Sequence, residues 1–97
     1  MPTRATYMRK LRKFAAEHGA EYGIRRIGIF GSVAREQHGV HSDVDIYYEG
    51  VSLGLKSLTG LPLALESYLG VPVDVVRDHK GLDPAFRSRI LKDVVYV

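Results

Sequence analysis

The chain has 97 residues, of which 45 % are hydrophobic and 26 % are charged, and its formal net charge is +3. This length supports one domain with a single modest core, and no apolar run approaches the roughly 20 residues of a membrane-spanning helix. The absence of cysteine excludes a disulfide framework and a thiolate zinc site, and it favours a reducing, cytoplasmic location.

Positive charge is concentrated in the first quarter of the chain, for example at Arg9, Arg12 and Lys13. Two interpretations are open: a solvated helix face, or a surface for nucleic acid. We favour the solvated face, because no stacking aromatic residues are spaced among these charges. Direct binding of nucleic acid is therefore not expected, and neither is a membrane partner.

Apolar spacing and turn residues predict alternating helices and strands. In chain order we expect a helix at 3–18, a strand at 25–30, a short helix at 33–37, a strand at 44–48, a helix at 62–69, a strand at 71–76, a helix at 84–92 and a short strand at 94–97. The third helix is placed from Pro62 because Gly60 and Pro62 interrupt a leucine spacing that begins at Leu55. The alternation predicts a small α/β domain.

Three aspartates stand at strand positions where carboxylates are unusual. Asp43 and Asp45 alternate along the second strand and therefore share one face, while Asp74 interrupts the valine-rich third strand. If the third strand pairs with the second in a suitable register, all three meet. Carboxylates about 4 Å apart repel by roughly 4 kcal/mol at an effective dielectric of 20, so they need protons, an arginine or a metal cation. Oxygen ligands on a rigid sheet suit Mg²⁺, which substrate phosphates usually complete.

The Gly31-Ser32 pair follows the first apolar strand and precedes a helix. A turn of this kind leaves backbone N–H groups free for an anion, and Ser32 adds a hydroxyl donor. Arg35, one turn further on, either reaches a phosphate or pairs with Glu36 or an aspartate. Each feature alone is weak evidence, but their order along the chain indicates a phosphate and metal site.

These residues resemble the motif of the nucleotidyltransferase superfamily that includes polymerase beta, and within it the minimal nucleotidyltransferase (MNT) domains. The motif appears as Gly31-Ser32 and Asp43-Val44-Asp45, with Asp74 as the third carboxylate. The likeness extends to Arg35, to Ser42 and to the segments 70–76 and 89–97, so we interpret residues 1–97 as a single MNT domain.

The resemblance implies a mixed β-sheet flanked by helices, of the α+β type, with the polymerase beta-like fold. It implies two Mg²⁺ ions and transfer of a nucleotidyl group from a nucleoside triphosphate, with release of pyrophosphate. Asp43, Asp45 and Asp74 would ligate the metals, and Asp74 would also accept the proton of the attacking hydroxyl. Residues expected to bind the nucleotide are Gly31, Ser32, Arg35 and Ser42.

Chains of this size resemble the antitoxin of HEPN/MNT toxin–antitoxin pairs, in which the MNT protein transfers AMP from ATP to a tyrosine of a HEPN ribonuclease toxin. The resemblance thus implies a protein adenylyltransferase with a HEPN toxin as partner. Two alternatives remain open: an antitoxin that neutralises its partner by binding alone, and a nucleic-acid-binding module.

Four residues near the motif carry further expectations. Glu36 stands where many MNT chains have glycine, and Tyr47 either stacks on a base or is a half-buried strand tyrosine. His38 and His41 are interpreted as solvent-exposed loop residues, because the sequence offers no thiolate or helical histidine spacing for a zinc site.

Overall fold

The protein is a four-stranded sheet with helices on both faces. Its structure is a computed structural model that describes residues 2–39 and 43–97. In chain order the elements are α1 (Arg4–His18), β1 (Ile24–Phe30), α2 (Gly31–Ala34), β2 (Val44–Gly50), a π-helical segment (Lys56–Gly60), α3 (Leu61–Leu69), β3 (Val73–Arg77), α4 (Pro84–Asp93) and β4 (Val95–Tyr96). The strand order is β3-β2-β1-β4. Among the paired strands of the described residues, only β2 and β3 run parallel. The structure thus confirms the expected α/β domain with a mixed sheet.

The short helix α2 differs from its predicted range of 33–37. It begins at Gly31, directly after β1, and ends at Ala34. Gly31 has a backbone φ of 72°, so the chain turns as soon as the strand ends. Glu36 has a φ of 57°, in the left-handed region that ends helices. The predicted helix therefore starts two residues too late and ends three residues too late.

The stretch before α3 is helical but not α-helical. The amide of Leu61 donates to the carbonyl of Lys56, five residues back, and Pro62 follows at the start of α3. Because proline has no N–H, it removes one α-helical hydrogen bond here, and a π-type turn fills the gap. The leucine spacing before Pro62 thus does indicate a helical segment, of a wider kind.

The main hydrophobic core lies between the sheet and the α1–α3 layer. It contains alternate side chains of β1 and β2, such as Ile29, Ile46 and Tyr48, and apolar residues of the helices, such as Leu11 and Leu65, all at most 1 % exposed. This pattern explains why both strands have a strictly apolar face. The opposite face of the sheet is therefore the one available for polar chemistry.

A second, smaller cluster packs α4 on the other face of the sheet. Phe30, Tyr47 and Ile90 form its buried centre, with Val76 and Phe86 around them. Helix α4 thus covers the middle of this face and the end of β1, whereas Asp43 is exposed and Asp45 is partly exposed at the start of β2. In the part of the chain that the structure describes, no helix combines the length and apolarity needed to cross a membrane.

Candidate active site

Two carboxylates mark the start of β2. Val44 and Ile46 are completely buried on the core side, which places Asp45 on the opposite face. Asp43 directly precedes the strand and is exposed, whereas Asp45 is only partly exposed. The tight packing of the alternate apolar side chains therefore fixes the direction of Asp45.

Asp74 lies directly beside Asp45 in the sheet. The parallel register pairs these two residues on β2 and β3, so their side chains leave the same face of adjacent strands, which run about 4.8 Å apart. The Glu66 carboxylate of α3 accepts a hydrogen bond of 3.2 Å from the Val73 amide. This contact anchors β3 one residue before Asp74. The register that the sequence alone leaves open is thus present.

The electrostatics of Asp45 reflect a cluster of like charges. Burial raises the pKa of the Asp45 carboxyl above its ordinary value, the negative charges of Asp74 and Asp43 raise it further, and Arg35 partly offsets them. Both neighbouring aspartates therefore act electrically on Asp45. A site of this kind attracts a cation, because a cation relieves both the repulsion and the cost of burial.

The turn after β1 fits closely against Asp45. Phe30 pairs with Asp45 across the β1–β2 ladder, and Gly31 follows with its φ of 72°. A Cβ atom added at Gly31 would collide with the Asp45 Oδ2 atom. Glycine is therefore required twice here, for the backbone conformation and for the space that the carboxylate occupies. The predicted turn and the Asp45 carboxylate therefore form one structural unit.

Ser32 and Arg35 lie next to this unit. Ser32 is partly exposed in the first turn of α2. The Arg35 guanidinium hydrogen-bonds to the Asp93 carboxylate of α4 and to Gln37 Oε1 at 3.2 Å. Of the two roles considered for Arg35, the structure thus has the ion pair with an aspartate, although its charge also acts on Asp45.

The donor set suits a divalent cation that a substrate helps to hold. Asp45 and Asp74 are paired carboxylates, the hard oxygen ligands that Mg²⁺ prefers. Within residues 2–39 and 43–97, no three His, Cys, Asp or Glu side chains are grouped so that they could hold a metal ion. Mg²⁺ is commonly bound by one or two carboxylates plus substrate phosphates rather than by a complete protein cage. The carboxylate pair therefore fits such an ion, with ligands from a phosphate still required.

Several expectations for neighbouring residues need correction or fall on residues that the structure does not describe. Tyr47 is completely buried in the α4 cluster, so it is neither half-buried nor available to stack on a base. Burial, with the nearby Asp78 charge, raises the pKa of Tyr47 to about 12. His38 is half-buried rather than solvent-exposed, with its Nε2 atom 3.0 Å from the Pro2 carbonyl. Ser42 and His41 lie outside the described residues.

Two cations near the turn are not apparent from the sequence. Arg89 and Lys92 of α4 line a cavity beside Gly31. Their spacing of three residues places them on the same side of the helix. No local sequence pattern brings the end of α4 close to Gly31, because that contact depends on how α4 packs on the sheet.

Comparison with known proteins identifies the family. A sequence profile described as a nucleotidyltransferase domain matches residues 8–97, nearly the whole chain. The chain belongs to the nucleotidyltransferase domain family. This nucleotidyltransferase is 38 % identical over 78 residues to protein adenylyltransferase MntA of Thermococcus cleftensis, which corresponds to 78 % of this chain and 77 % of that protein. The superfamily resemblance expected from the motif is confirmed.

Solved structures confirm the fold of the nucleotidyltransferase. One, named as a minimal nucleotidyltransferase, matches with a TM-score of 0.79 at 34 % identity and covers 97 % of this chain and 95 % of that chain. A chain from a complex of a tri-AMPylated Shewanella oneidensis HEPN toxin with an MNT antitoxin gives a TM-score of 0.68 at 18 % identity, covering 97 % and 71 % respectively. At that identity the likeness concerns the fold alone.

Proposed function

We propose that this nucleotidyltransferase is a protein adenylyltransferase, which transfers AMP from ATP to a tyrosine of a HEPN ribonuclease toxin and thereby acts as its antitoxin. The observation that carries the proposal is the register of Asp45 with Asp74, beside the Gly31 turn. Support for the acceptor comes from the relative named protein adenylyltransferase and from the complex in which an MNT antitoxin is found with an AMPylated HEPN toxin.

In this proposal each residue has a defined part. Asp45 and Asp74, with Asp43 beside them, would hold two Mg²⁺ ions together with the phosphates of ATP, which would supply the ligands that the described side chains do not. The bound metal would supply charge stabilisation to the attacking and leaving oxygens. Asp74, the more exposed member of the Asp45–Asp74 pair, accepts the proton of the tyrosine hydroxyl. Gly31, Ser32, Arg35 and Ser42 bind the nucleotide.

The reaction needs little beyond this positioning. The tyrosine oxygen forms a bond to the α-phosphorus of ATP, the bond from that phosphorus to the bridging oxygen breaks, and pyrophosphate leaves with the electron pair. Phosphoryl and nucleotidyl transfer depend mainly on alignment and on stabilisation of charge. A rigid sheet that fixes Asp45 and Asp74 in register is suited to that task.

Incubation of the chain with α-labelled ATP, Mg²⁺ and a HEPN ribonuclease toxin, sought first in the adjacent reading frame, tests the proposal. We expect label on a toxin tyrosine, and we expect Asp43→Asn and Asp74→Asn to reduce labelling by at least about 10²-fold, the loss typical when one stabiliser of transition-state charge is removed. A Tyr→Phe change at the labelled toxin position is the matched acceptor control. Absence of label, or equal labelling by Asp43→Asn, contradicts the proposal.

The same preparation separates catalysis from neutralisation by binding alone. If the chain only masks its partner, Asp45→Ala and Asp74→Ala still suppress the ribonuclease activity of the toxin. If adenylylation is the mechanism, these variants bind the toxin but leave its ribonuclease active. Ribonuclease activity and complex formation are therefore measured side by side for each variant.

A further inference from the structure

A cavity of about 320 Å³ opens between α2 and α4. Its apolar wall is formed by Phe30, Phe86 and Ile90, which belong to the small hydrophobic cluster under α4. Its rim includes Gly31, the residue against which the Asp45 carboxylate packs. Asp45 and Asp74 do not themselves line the cavity, so Gly31 is the residue that lies between it and the carboxylate site.

The charged side chains of this cavity are mostly cationic. Among the described residues, Arg35, Arg89 and Lys92 line it, against one carboxylate from Asp93. Asp93 is already paired with Arg35. Neither Arg89 nor Lys92 forms an ion pair with any residue that the structure describes. The Arg89 Cζ atom lies 5.9 Å from the centre of the Phe86 ring. The cavity therefore carries uncompensated positive charge.

A polyanion is the ligand that matches this charge and position. A nucleoside triphosphate whose α-phosphate lies at Asp45 has its negative β- and γ-phosphates only a few ångströms further on. These phosphates also become the leaving pyrophosphate, so cations that hold them stabilise the charge that develops as the bond to the α-phosphorus breaks. The nucleoside end of the substrate has no comparable need for three cations.

We propose that Arg89 and Lys92 bind the β- and γ-phosphates of the nucleoside triphosphate. Asp93 holds Arg35 in an ion pair until the same phosphates replace the Asp93 carboxylate as the partner of Arg35. The assignment rests on the proposed nucleotidyl transfer and adds two substrate-binding residues from α4 to it. The tyrosine proton still goes to Asp74, and pyrophosphate leaves into the cavity with the electron pair of the broken bond.

Titration calorimetry with the full chain tests the assignment without any acceptor protein. The probes are inorganic pyrophosphate, ATP and AMP, each with Mg²⁺. We expect Arg89→Ala and Lys92→Ala each to weaken pyrophosphate and ATP binding by about tenfold, the loss typical of one charged hydrogen bond, and to leave AMP binding within about twofold of the wild type. Lys80→Ala, which removes a charge from a different cleft, should bind all three probes as the wild type does.

A variant of the restraining carboxylate gives an independent reading with the opposite sign. Asp93→Asn frees Arg35 from its ion pair. It also removes the one carboxylate among the described residues that line the cavity, so pyrophosphate should bind severalfold more tightly. The assignment is overturned if Arg89→Ala and Lys92→Ala bind pyrophosphate normally, or if they lose AMP and pyrophosphate affinity equally. A chain that binds ATP through these residues but labels no protein would contradict the adenylyltransferase proposal and leave the assignment standing.

Discussion

At the scale of single residues, Gly31 is the position on which the site depends most strictly. Its φ of 72° and its contact with the Asp45 carboxylate are separate demands. Gly70 ends α3 with a φ of 75°, and a Cβ atom added there would meet no other atom within 4 Å. The two glycines therefore share the backbone conformation and differ in the space around it.

Gly31→Ala is expected to destabilise the fold and to displace Asp45. The backbone conformation alone costs about 1–2 kcal/mol for a residue other than glycine, and overpacking against the carboxylate adds about 1–3 kcal/mol. Misplacement of the carboxylate should lower AMP transfer by about 10²-fold. Gly70→Ala is the control that keeps the conformational cost and omits the collision. Chemical denaturation and the labelling assay measure both variants, and equal effects of the two substitutions would refute the steric role of Gly31.

Glu36 shows the reverse situation, a residue with a side chain where the backbone favours glycine. Its φ of 57° is left-handed, and its ion pair with the partly exposed Arg4, at 3.8 Å, contributes little because Glu36 is largely exposed. This conformation explains why glycine is the residue expected here from the MNT resemblance.

Glu36→Gly should therefore stabilise the protein. Relief of the left-handed conformation gains about 1–2 kcal/mol, and the greater freedom of glycine in the unfolded chain takes back about 0.4–1 kcal/mol. We expect a net gain of roughly 0.5–1 kcal/mol in the free energy of unfolding, measured by urea denaturation. Gln37→Gly, one residue later and without a positive φ, should destabilise. A loss of stability in Glu36→Gly would show that its left-handed backbone is not strained.

At the scale of elements, α4 determines how open the site is. Its start is capped by Asp83, whose carboxylate accepts a hydrogen bond of 3.0 Å from the Phe86 amide. Arg87 joins α4 to Asp78, the residue after β3, through hydrogen bonds of 2.9 and 3.4 Å. These contacts hold α4 over the face of the sheet that carries Asp74.

The Asp78–Arg87 contact should make stability depend on pH. The hydrogen bond from Arg87 lowers the pKa of the Asp78 carboxyl below its ordinary value of 3.8. The Asp78 carboxyl therefore binds a proton less tightly in the folded state than in the unfolded state. The contact stabilises the fold above about pH 4, and this stabilisation is lost as the pH falls through the lowered pKa. Asp78→Asn should lower Tm by about 2–4 °C at pH 7, since both side chains are partly exposed.

Thermal unfolding from pH 3 to pH 7 measures this difference. The gap between the wild type and Asp78→Asn should narrow towards the acid end. Arg87→Gln should produce a similar loss at pH 7, and the double variant should lose little more than either single variant. A gap that stays constant over the pH range would mean that Asp78 acts through packing and not through its charge.

At the scale of the whole molecule, the sheet separates packing from chemistry. Ile29, Ile46 and Tyr48 point into the core under α1 and α3, while Asp45 and Asp74 leave the opposite face. One face can therefore be closely packed while the other keeps carboxylates that an enclosed core would not tolerate. The strands that carry the site are stabilised by the core that packs against their other face.

The same division explains what the sequence could and could not predict. Alternation along β2 correctly predicted the direction of Asp45, because the face that a strand side chain occupies follows from local periodicity. The register of Asp74 had to be assumed, since strand pairing depends on distant parts of the chain. The burial of Tyr47 and the position of Lys92 depend on where α4 packs, which no local pattern specifies. The early start of α2 depends on one backbone angle at Gly31.

Ligand binding should appear as a stability change of the entire domain. A ligand that binds only the folded state raises the free energy of unfolding by about 2.7 kcal/mol at a hundredfold excess over its Kd, so Mg²⁺ with ATP should produce an increase of that size. Asp45→Asn should abolish most of it. This variant should also be roughly 0.5–1 kcal/mol more stable than the wild type without ligand, because it removes a partly exposed carboxylate whose pKa is raised by burial and by Asp74 and Asp43. Denaturation with and without Mg²⁺ and ATP tests both effects, with Asp83→Asn as a control at a carboxylate outside the site. If Asp45→Asn kept the full increase, the carboxylate pair would not be the place where the nucleotide and its metal bind.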